Sequence, residues 1–575
     1  MNILKSLFNN TSTNNKTQYW LFVALLVALS IFVMLCNGIT SKYYAGYDFF
    51  FHLHRLEMVI QALREGTYPF YFDYEHVEGY GYFVNGFYPD FILVPFAIVG
   101  LFTDAFFAYD FMIFTMTVLC GLIMYHTVRV VYNNRYAAAI SSILYTFSMY
   151  RLYDVYHRSA LAEALSFTFL PLVFLGLYYI IHGDYKKWYV LALSYILLIY
   201  THAISSVLTF ITFLVFIAVY YKSFKNEPKR IYYLLLAAGV TFIAVCYYWL
   251  PILEQVSHAG YYFNKRLPGG GAGYGKVGFD YVLWGLLSGV AYYKTKLWTG
   301  VGIVLVSVIF LRFFIKGQKS DKLRLTDLGV IIGICYIIAS ARIIPWGSFP
   351  LNIISFIQYP WRLYEFSTYF LAIAGGYYLS LLLVKKKQRM LWLVLIVFIT
   401  MGTIYIHSLN FKEMYPKRDK WDRVRNEFPS LCNNYNIIGG EYLPAKIPYL
   451  EHISHTGIII NAKDPSTSIK SLKRYENKTR VKVVVNKPDT IALPLFYYYG
   501  YQATLNGKPV EVSESDIGLV AVPVNESGEI EAWYATTAIR KLSFYVSISV
   551  IILLIIFAIY SQRKQNRKVD EYYPE

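Results

Sequence analysis

Apolar runs recur along the whole of this chain and basic residues gather in every second gap between them. That pattern leaves a polytopic helical membrane protein as the architecture open to it. A helix crosses the hydrocarbon core with about 20 apolar residues. Runs of roughly that kind lie at 18-38, 105-128, 136-152, 160-182, 188-202, 203-221, 231-253, 298-315, 327-343, 363-384, 390-408 and 542-560, which gives about twelve transmembrane helices. The run 91-102 is too short and contains Pro95, so it is expected to lie on the outer face. With the N-terminus inside, each inner loop is then basic: Arg129 and Arg135, Lys186 and Lys187, Lys222 to Arg230, Lys316 to Arg324, Lys385 to Arg389, and Arg563 to Lys568. Cytoplasmic loops are enriched in such residues. Counting 91-102 as a crossing would put all the later clusters outside. The expectation is a multi-pass plasma membrane protein whose site faces outward.

Of 575 residues, 56% are hydrophobic and 15% charged, which excludes a water-soluble enzyme. The net charge of +17 is spent on the topology clusters, so no nucleic acid partner is expected. Cys36, Cys120, Cys246 and Cys335 fall in apolar segments and Cys432 stands alone; neither a disulfide framework nor a zinc site follows. The first run lacks a small-residue cleavage site and exceeds a signal-peptide core, so it reads as an uncleaved helix.

Three long outer regions emerge, at 39-104, 254-297 and 409-541. The chain accordingly divides into a transmembrane domain 1-408 with its first outer loop, an extracytoplasmic domain 409-541, and a final helix with a basic cytoplasmic tail, 542-575. The run Val481-Lys-Val-Val-Val, the run Gly518-Leu-Val-Ala-Val-Pro and an Asn506-Gly507 turn predict a small antiparallel β-sandwich before the last helix.

Ionisable groups stand at the outer ends of the spans, where they are costly unless partnered or used. Asp48, His52 and Arg55 are spaced so that a helix from about Phe49 sets them on one face. The simpler reading is that Asp48 caps this helix and Gly66 ends it. Asp154, His157, Arg158 and Glu163 lie at the outer end of two consecutive helices. As a surface pair, Asp154 and Arg158 would contribute at most about 1 kcal/mol, but Glu163 opens an apolar span. His202, Glu254 and Arg362 stand at further outer helix ends, and the planar fork of an arginine suits a phosphate. Polar groups at several outer ends can line one cavity. The segment Gly270 to Lys276 nearly matches a nucleotide-binding loop, but Val277 replaces the required Ser or Thr, and a loop over the cavity is the better reading. Asp73-Tyr74-Glu75 offers too few ligands for a divalent ion. No metal ligand is assigned, and a divalent metal is not favoured as a cofactor.

Taken together, Gly-Tyr-Asp-Phe-Phe-Phe-His (46-52), Phe-Tyr-Pro (87-89), Tyr-Arg-Leu-Tyr-Asp-Val-Tyr-His-Arg-Ser-Ala-Leu-Ala-Glu (150-163), Tyr-Trp-Leu-Pro-x-Leu-Glu (248-254) and Tyr-Pro-Trp-Arg (359-362) resemble the GT-C superfamily of membrane glycosyltransferases. Within it they are similar to the bacterial YfhO-like and 6-pyruvoyl-tetrahydropterin synthase-related membrane proteins. Gly440-Glu-Tyr-Leu-Pro444 and Pro494-x-x-Tyr-Tyr-Tyr-Gly-Tyr501 resemble the family's outer domain. The paired-acid Asp-x-Asp of oligosaccharyltransferases does not occur.

The resemblance implies an inverting transfer of a sugar from a polyprenyl-phosphate donor to an extracytoplasmic cell-envelope acceptor, whether polysaccharide, lipid or protein. Asp48 falls at the family's catalytic position as general base. His52, Arg55, Asp154, His157, Arg158, Glu163, His202, Glu254 and Arg362 are then candidates to bind donor phosphate or substrate, with Lys265 and Arg266 as further cations. The bilayer and the lipid-linked sugar are the expected partners. A transporter or flippase for lipid-linked sugars, and a non-catalytic scaffold that binds them, stay open as alternatives.

Overall fold

The computed structural model describes residues 12–38, 46–69, 72–74, 76–265, 271–293, 296–414, 440–448, 460–475 and 477–572. A helix occupies each of the twelve apolar runs, but the helices differ in reach. Five segments are long and apolar enough to cross a membrane: Lys16–Asn37, Ala105–Tyr132, Leu161–Ile181, Lys386–Glu413 and Ala538–Lys564. Lys229–Ala244 and Cys246–His258 form a pair bent by 60°, a sixth if they cross as one.

The others are shorter or less apolar for identifiable reasons. Phe147 and Ser148 leave the helix and split the run 136-152 into Arg135–Thr146 and Met149–Leu152. His202, with extended backbone, ends Trp188–Thr201 and begins Ala203–Val219. A strand, Lys296–Thr299, takes the start of the run 298-315 and pairs with Val290–Tyr293. At 1.5 Å per residue, the 14 residues of Trp188–Thr201 span about 21 Å, less than a bilayer core of about 30 Å. The run 91-102 forms Phe91–Leu93 and Val94–Gly100, too short to cross.

Small residues let the central helices approach. A Cβ at Gly376 would stand 2.4 Å from the Ala137 carbonyl oxygen, and one at Gly176 2.4 Å from the Leu191 Cα. Close backbone contact of this kind is how helices associate in lipid, where hydrophobic burial between them gains little.

Beyond the helix Lys386–Met414, the described residues between 460 and 534 form two antiparallel sheets. One orders the strands Asn461–Ala462, Asp489–Phe496, Leu519–Val524 and Ser513–Glu514; the other orders Ser468–Tyr475, Lys478–Val484, Gly528–Tyr534, Tyr501–Leu505 and Lys508–Val510. Asn506 and Gly507, both at positive φ, close the hairpin of Tyr501–Leu505 and Lys508–Val510 in two residues, the geometry that matches strand twist. Alternation buries Val481 and Val483 in one sheet against Leu493 and Val522 of the other. The same core continues into the first outer loop, through Phe72, Tyr80, Phe83 and Phe87, and the Phe496 N–H donates to the Tyr80 carbonyl at 2.9 Å. Arg540, fully buried at the start of the last helix, lies 4.2 Å from the Phe83 ring centre and donates to the Tyr499 carbonyl. The flanking helices run to Met414 and start at Ala538, so each extends past the expected domain limits of 408 and 542.

Candidate active site

Asp48 occupies the N-cap position of the helix Phe49–Glu65, which Gly66 ends at φ 68°. Its side chain makes no capping hydrogen bond, so capping does not account for the carboxylate. Backbone contacts fix its place: the Asp48 N–H donates to the Arg158 carbonyl at 2.8 Å and the Tyr47 N–H to that of His157 at 3.2 Å. Only glycine fits at Gly46, since a Cβ there would lie 2.2 Å from Ser159 Oγ and 2.4 Å from the Tyr156 carbonyl oxygen. The segment it leans on, Tyr153–His157, is a π-turn in which the Arg158 N–H reaches back five residues to the Tyr153 carbonyl. Such turns interrupt helices at functional sites more often than elsewhere.

This turn presents a buried ionic network. Arg158 Nη1 donates to Asp154 Oδ1 at 2.6 Å and to Glu163 Oε2 at 2.8 Å. Arg362 Nε lies 3.2 Å from the same Glu163 oxygen, and the Tyr150 hydroxyl donates to Glu163 Oε1 at 2.7 Å. The Arg158 guanidinium also sits 4.7 Å from the Trp361 ring centre. Two carboxylates and two guanidiniums thus balance, which is what burial of charge demands. Behind them Ser166 and Ser205 donate to Glu365 at 2.6 Å each, and Ser205 is 2.8 Å from His202 Nδ1.

In front of the network opens a cavity of about 220 Å³ that Asp48, His52, His202 and Arg362 line together. Burial pushes the Asp48 carboxyl above its ordinary value against the opposing pull of Arg158 and Arg362. Burial, with Arg55 beside it, holds His52 neutral. Arg55 Nη1 donates to His52 Nδ1 at 3.3 Å, which leaves the ring proton on Nε2. Arg362 Nη2 donates to Gln358 at 2.7 Å, while its buried Nη1 has no hydrogen-bond partner among the described residues.

The wall also includes Tyr88, Tyr248, Gln358, Glu441 and Tyr442, which residue spacing did not single out. Glu441 comes from the turn that precedes the sheets, and burial, reinforced by Asp48, pushes its carboxyl up to about 7. An acid between Gly440 and Pro444 was the available signal.

Three candidates lie elsewhere. Arg55 donates to the Pro89 carbonyl at 2.7 Å and stacks 4.2 Å from the Tyr88 ring centre, so it braces the Phe-Tyr-Pro wall from behind. His157 packs edge-on to His407 at 4.8 Å and against Phe411. Burial pushes its imidazole down to about 3. Glu254 accepts from Thr537 at 2.7 Å and lies 3.6 Å from Arg540, tying the bent helix to the last one. Asp154, Arg158 and Glu163 form the network but do not themselves line the cavity. Asp73, fully buried, is bound to His54 at 2.6 Å; Glu75, Arg266, Gly270, Cys432 and the Lys265 side chain lie outside the described residues. Among the described residues no three His, Cys, Asp or Glu side chains group to hold a metal ion.

No protein-family model and no curated protein matches the chain. Among solved structures, the arabinofuranosyltransferase AftD from mycobacteria is similar with a TM-score of 0.44 and 12% identity, over 68% of this chain. The matched part spans 27% of that protein's length, and a likeness this distant assigns no role to any residue here.

Proposed function

We propose that the chain is an inverting membrane glycosyltransferase of the GT-C kind that moves a sugar from a polyprenyl-phosphate donor to an extracytoplasmic cell-envelope acceptor. One observation carries the reading: the Asp48 carboxylate and the Arg362 guanidinium face a single cavity where helix ends meet the outer domain. In this reading the chain crosses the plasma membrane twelve times, the shorter helices being enclosed by longer ones, and the cavity faces outward.

The acceptor hydroxyl oxygen attacks the anomeric carbon while Asp48 takes its proton; the raised affinity of Asp48 for a proton suits that task. The bond from the anomeric carbon to the donor oxygen breaks with its electron pair going to the polyprenyl phosphate. Arg362 Nη1, buried and without a hydrogen-bond partner among the described residues, is positioned to stabilise that charge, with Arg158 as a second cation behind it. His52 Nε2 and His202 are donors for sugar hydroxyls. The test is the purified chain with a panel of polyprenyl-phosphate sugars. Asp48→Asn is expected to lower transfer by about 10²–10⁴-fold while donor binding persists. Prenyl-phosphate release independent of Asp48 would remove it as base, and lipid-linked sugar moved across a bilayer without bond cleavage would favour a flippase.

A further inference from the structure

A second cavity, of about 540 Å³, lies at the opposite end of the helices. The helix Ala105–Tyr132 relates the two ends: Tyr109 packs 5.1 Å from the Phe49 ring centre next to Asp48, and Arg129, twenty residues on, lines the second cavity. That separation is about 30 Å along a helix, the thickness of a hydrocarbon core. The segments 129–135 and 385–389 at this end, helix termini with their short connections, are two of the basic clusters.

Three guanidiniums, Arg129, Arg135 and Arg389, line the cavity from three helical segments or their ends, and no carboxylate is among the lining residues. Neutral oxygens hold two of them in place. Arg129 donates to the Asn133 side chain. Arg389 donates to the Leu383 carbonyl at 2.7 Å and the Ser380 carbonyl at 3.2 Å, with the Tyr136 ring centre 5.5 Å away. These acceptors carry no negative charge to offset the guanidiniums. Asn134 caps the helix Arg135–Thr146, whose N-terminal dipole adds to the positive potential. The remaining wall mixes polar groups, Gln18, Asn133 and Asn134, with apolar ones, of which Leu21, Leu25 and Leu393 come from the helices Ser12–Asn37 and Lys386–Met414, both mostly exposed. An anion offsets the repulsion between Arg129 and Arg389, and the leucines extend the pocket toward acyl chains.

We propose that this cavity binds the phosphate-bearing headgroup of an anionic membrane phospholipid, with its acyl chains along the leucine wall. It is a site separate from the outer cavity and uses none of its residues. Basic pockets between transmembrane helices recognise such headgroups.

The test uses the full chain in phosphatidylcholine nanodiscs doped with phosphatidylglycerol, with retained lipid read by native mass spectrometry after extraction. Selective retention of phosphatidylglycerol is expected. Each arginine contributes roughly fivefold, so Arg129→Gln combined with Arg389→Gln lowers retention by about 25-fold. Ala139→Trp fills the cavity without changing charge and is expected to displace the lipid as well, which separates site loss from misfolding. Equal retention of phosphatidylcholine and phosphatidylglycerol by the wild type, or unchanged retention in both variants, overturns the proposal. So does displacement of the lipid by inorganic phosphate at equal concentration, which would assign the pocket to a free phosphate.

Discussion

The cavities at the two ends of the helices are built from the same ingredient, arginine, in opposite ways. At the Asp48 end Arg158 and Arg362 are matched by Asp154 and Glu163, and Asp48 and Glu441 add acids to the site. At the other end three arginines line a pocket with no acid among them. A balanced set fixes each charged group in one geometry, because every member is bound to an opposite. A single-sign set specifies a ligand by charge and leaves its orientation loose. The outer cavity is thereby suited to chemistry and the other to holding an anion.

Removing the acid at the centre of the balanced set is the most severe way to break this contrast. Glu163→Ala leaves Arg362 without its carboxylate and Arg158 with one of two, and loss of a buried ionic partner costs about 3–5 kcal/mol. Thermal unfolding in detergent is expected to show a large loss of stability, with Glu163→Gln falling between. An alanine variant as stable as the wild type would mean that the network does not hold the outer helix ends together.

Arg362→Lys is milder, since it keeps the charge and removes the fork that reaches Glu163 and Gln358. A planar arginine donor set is not replaced by an ammonium. Sugar transfer is expected to fall by about 10²–10³-fold with little change in melting temperature. An unchanged rate would reduce Arg362 to a charge among charges, as in the second cavity.

How much of this was legible in the sequence depends on the range over which each feature is determined. Apolar runs and basic loops are local signals, and a helix was found in each run; the Asn506-Gly507 turn is equally local. The π-turn is not, because it arises where Gly46 packs on Tyr156 and Ser159, more than a hundred residues away. The outer ends of the expected helices group Asp48, His52, His202 and Arg362 as candidates, and the structure sets these four on one cavity. The same criterion admitted Arg55, His157 and Glu254, since spacing cannot tell a side chain facing a cavity from one facing a neighbouring helix. Glu441 was missed as a site residue because its place depends on the outer domain folding back over the first loop.

The support of Asp48 introduces a smaller, pH-dependent effect. The helix that begins after Asp48 carries His54, whose Nε2 lies 2.6 Å from the buried Asp73. Burial opposes the charge on His54, but the bonds to Asp73 and Glu57 outweigh it and raise the imidazole to about 9. A pKa raised on folding stabilises fully below the unfolded value near 6.5, and the contribution is lost as pH rises through about 9. Its size is on the order of 1–3 kcal/mol. The wild type is expected to lose thermal stability between pH 6.5 and 9, whereas His54→Gln starts lower and changes less over that window. Parallel curves for the two proteins would count against the pair as a support.

The smallest expected effect concerns Glu441, the acid that the outer domain contributes. With its carboxyl pushed up to about 7 by burial, Glu441 is mostly protonated below neutrality and ionised above it. An ionised Glu441 beside Asp48 repels an anionic donor phosphate. The apparent KM for a polyprenyl-phosphate sugar is therefore expected to rise about tenfold as pH passes upward through 7, a difference of about 1.4 kcal/mol. Glu441→Gln keeps the shape, stays neutral at every pH, and is expected to hold the low KM throughout. If wild type and Glu441→Gln show the same pH dependence of KM, the acid excess in the outer cavity does not act on the donor, and the contrast with the arginine-lined cavity narrows to Arg362 and its network.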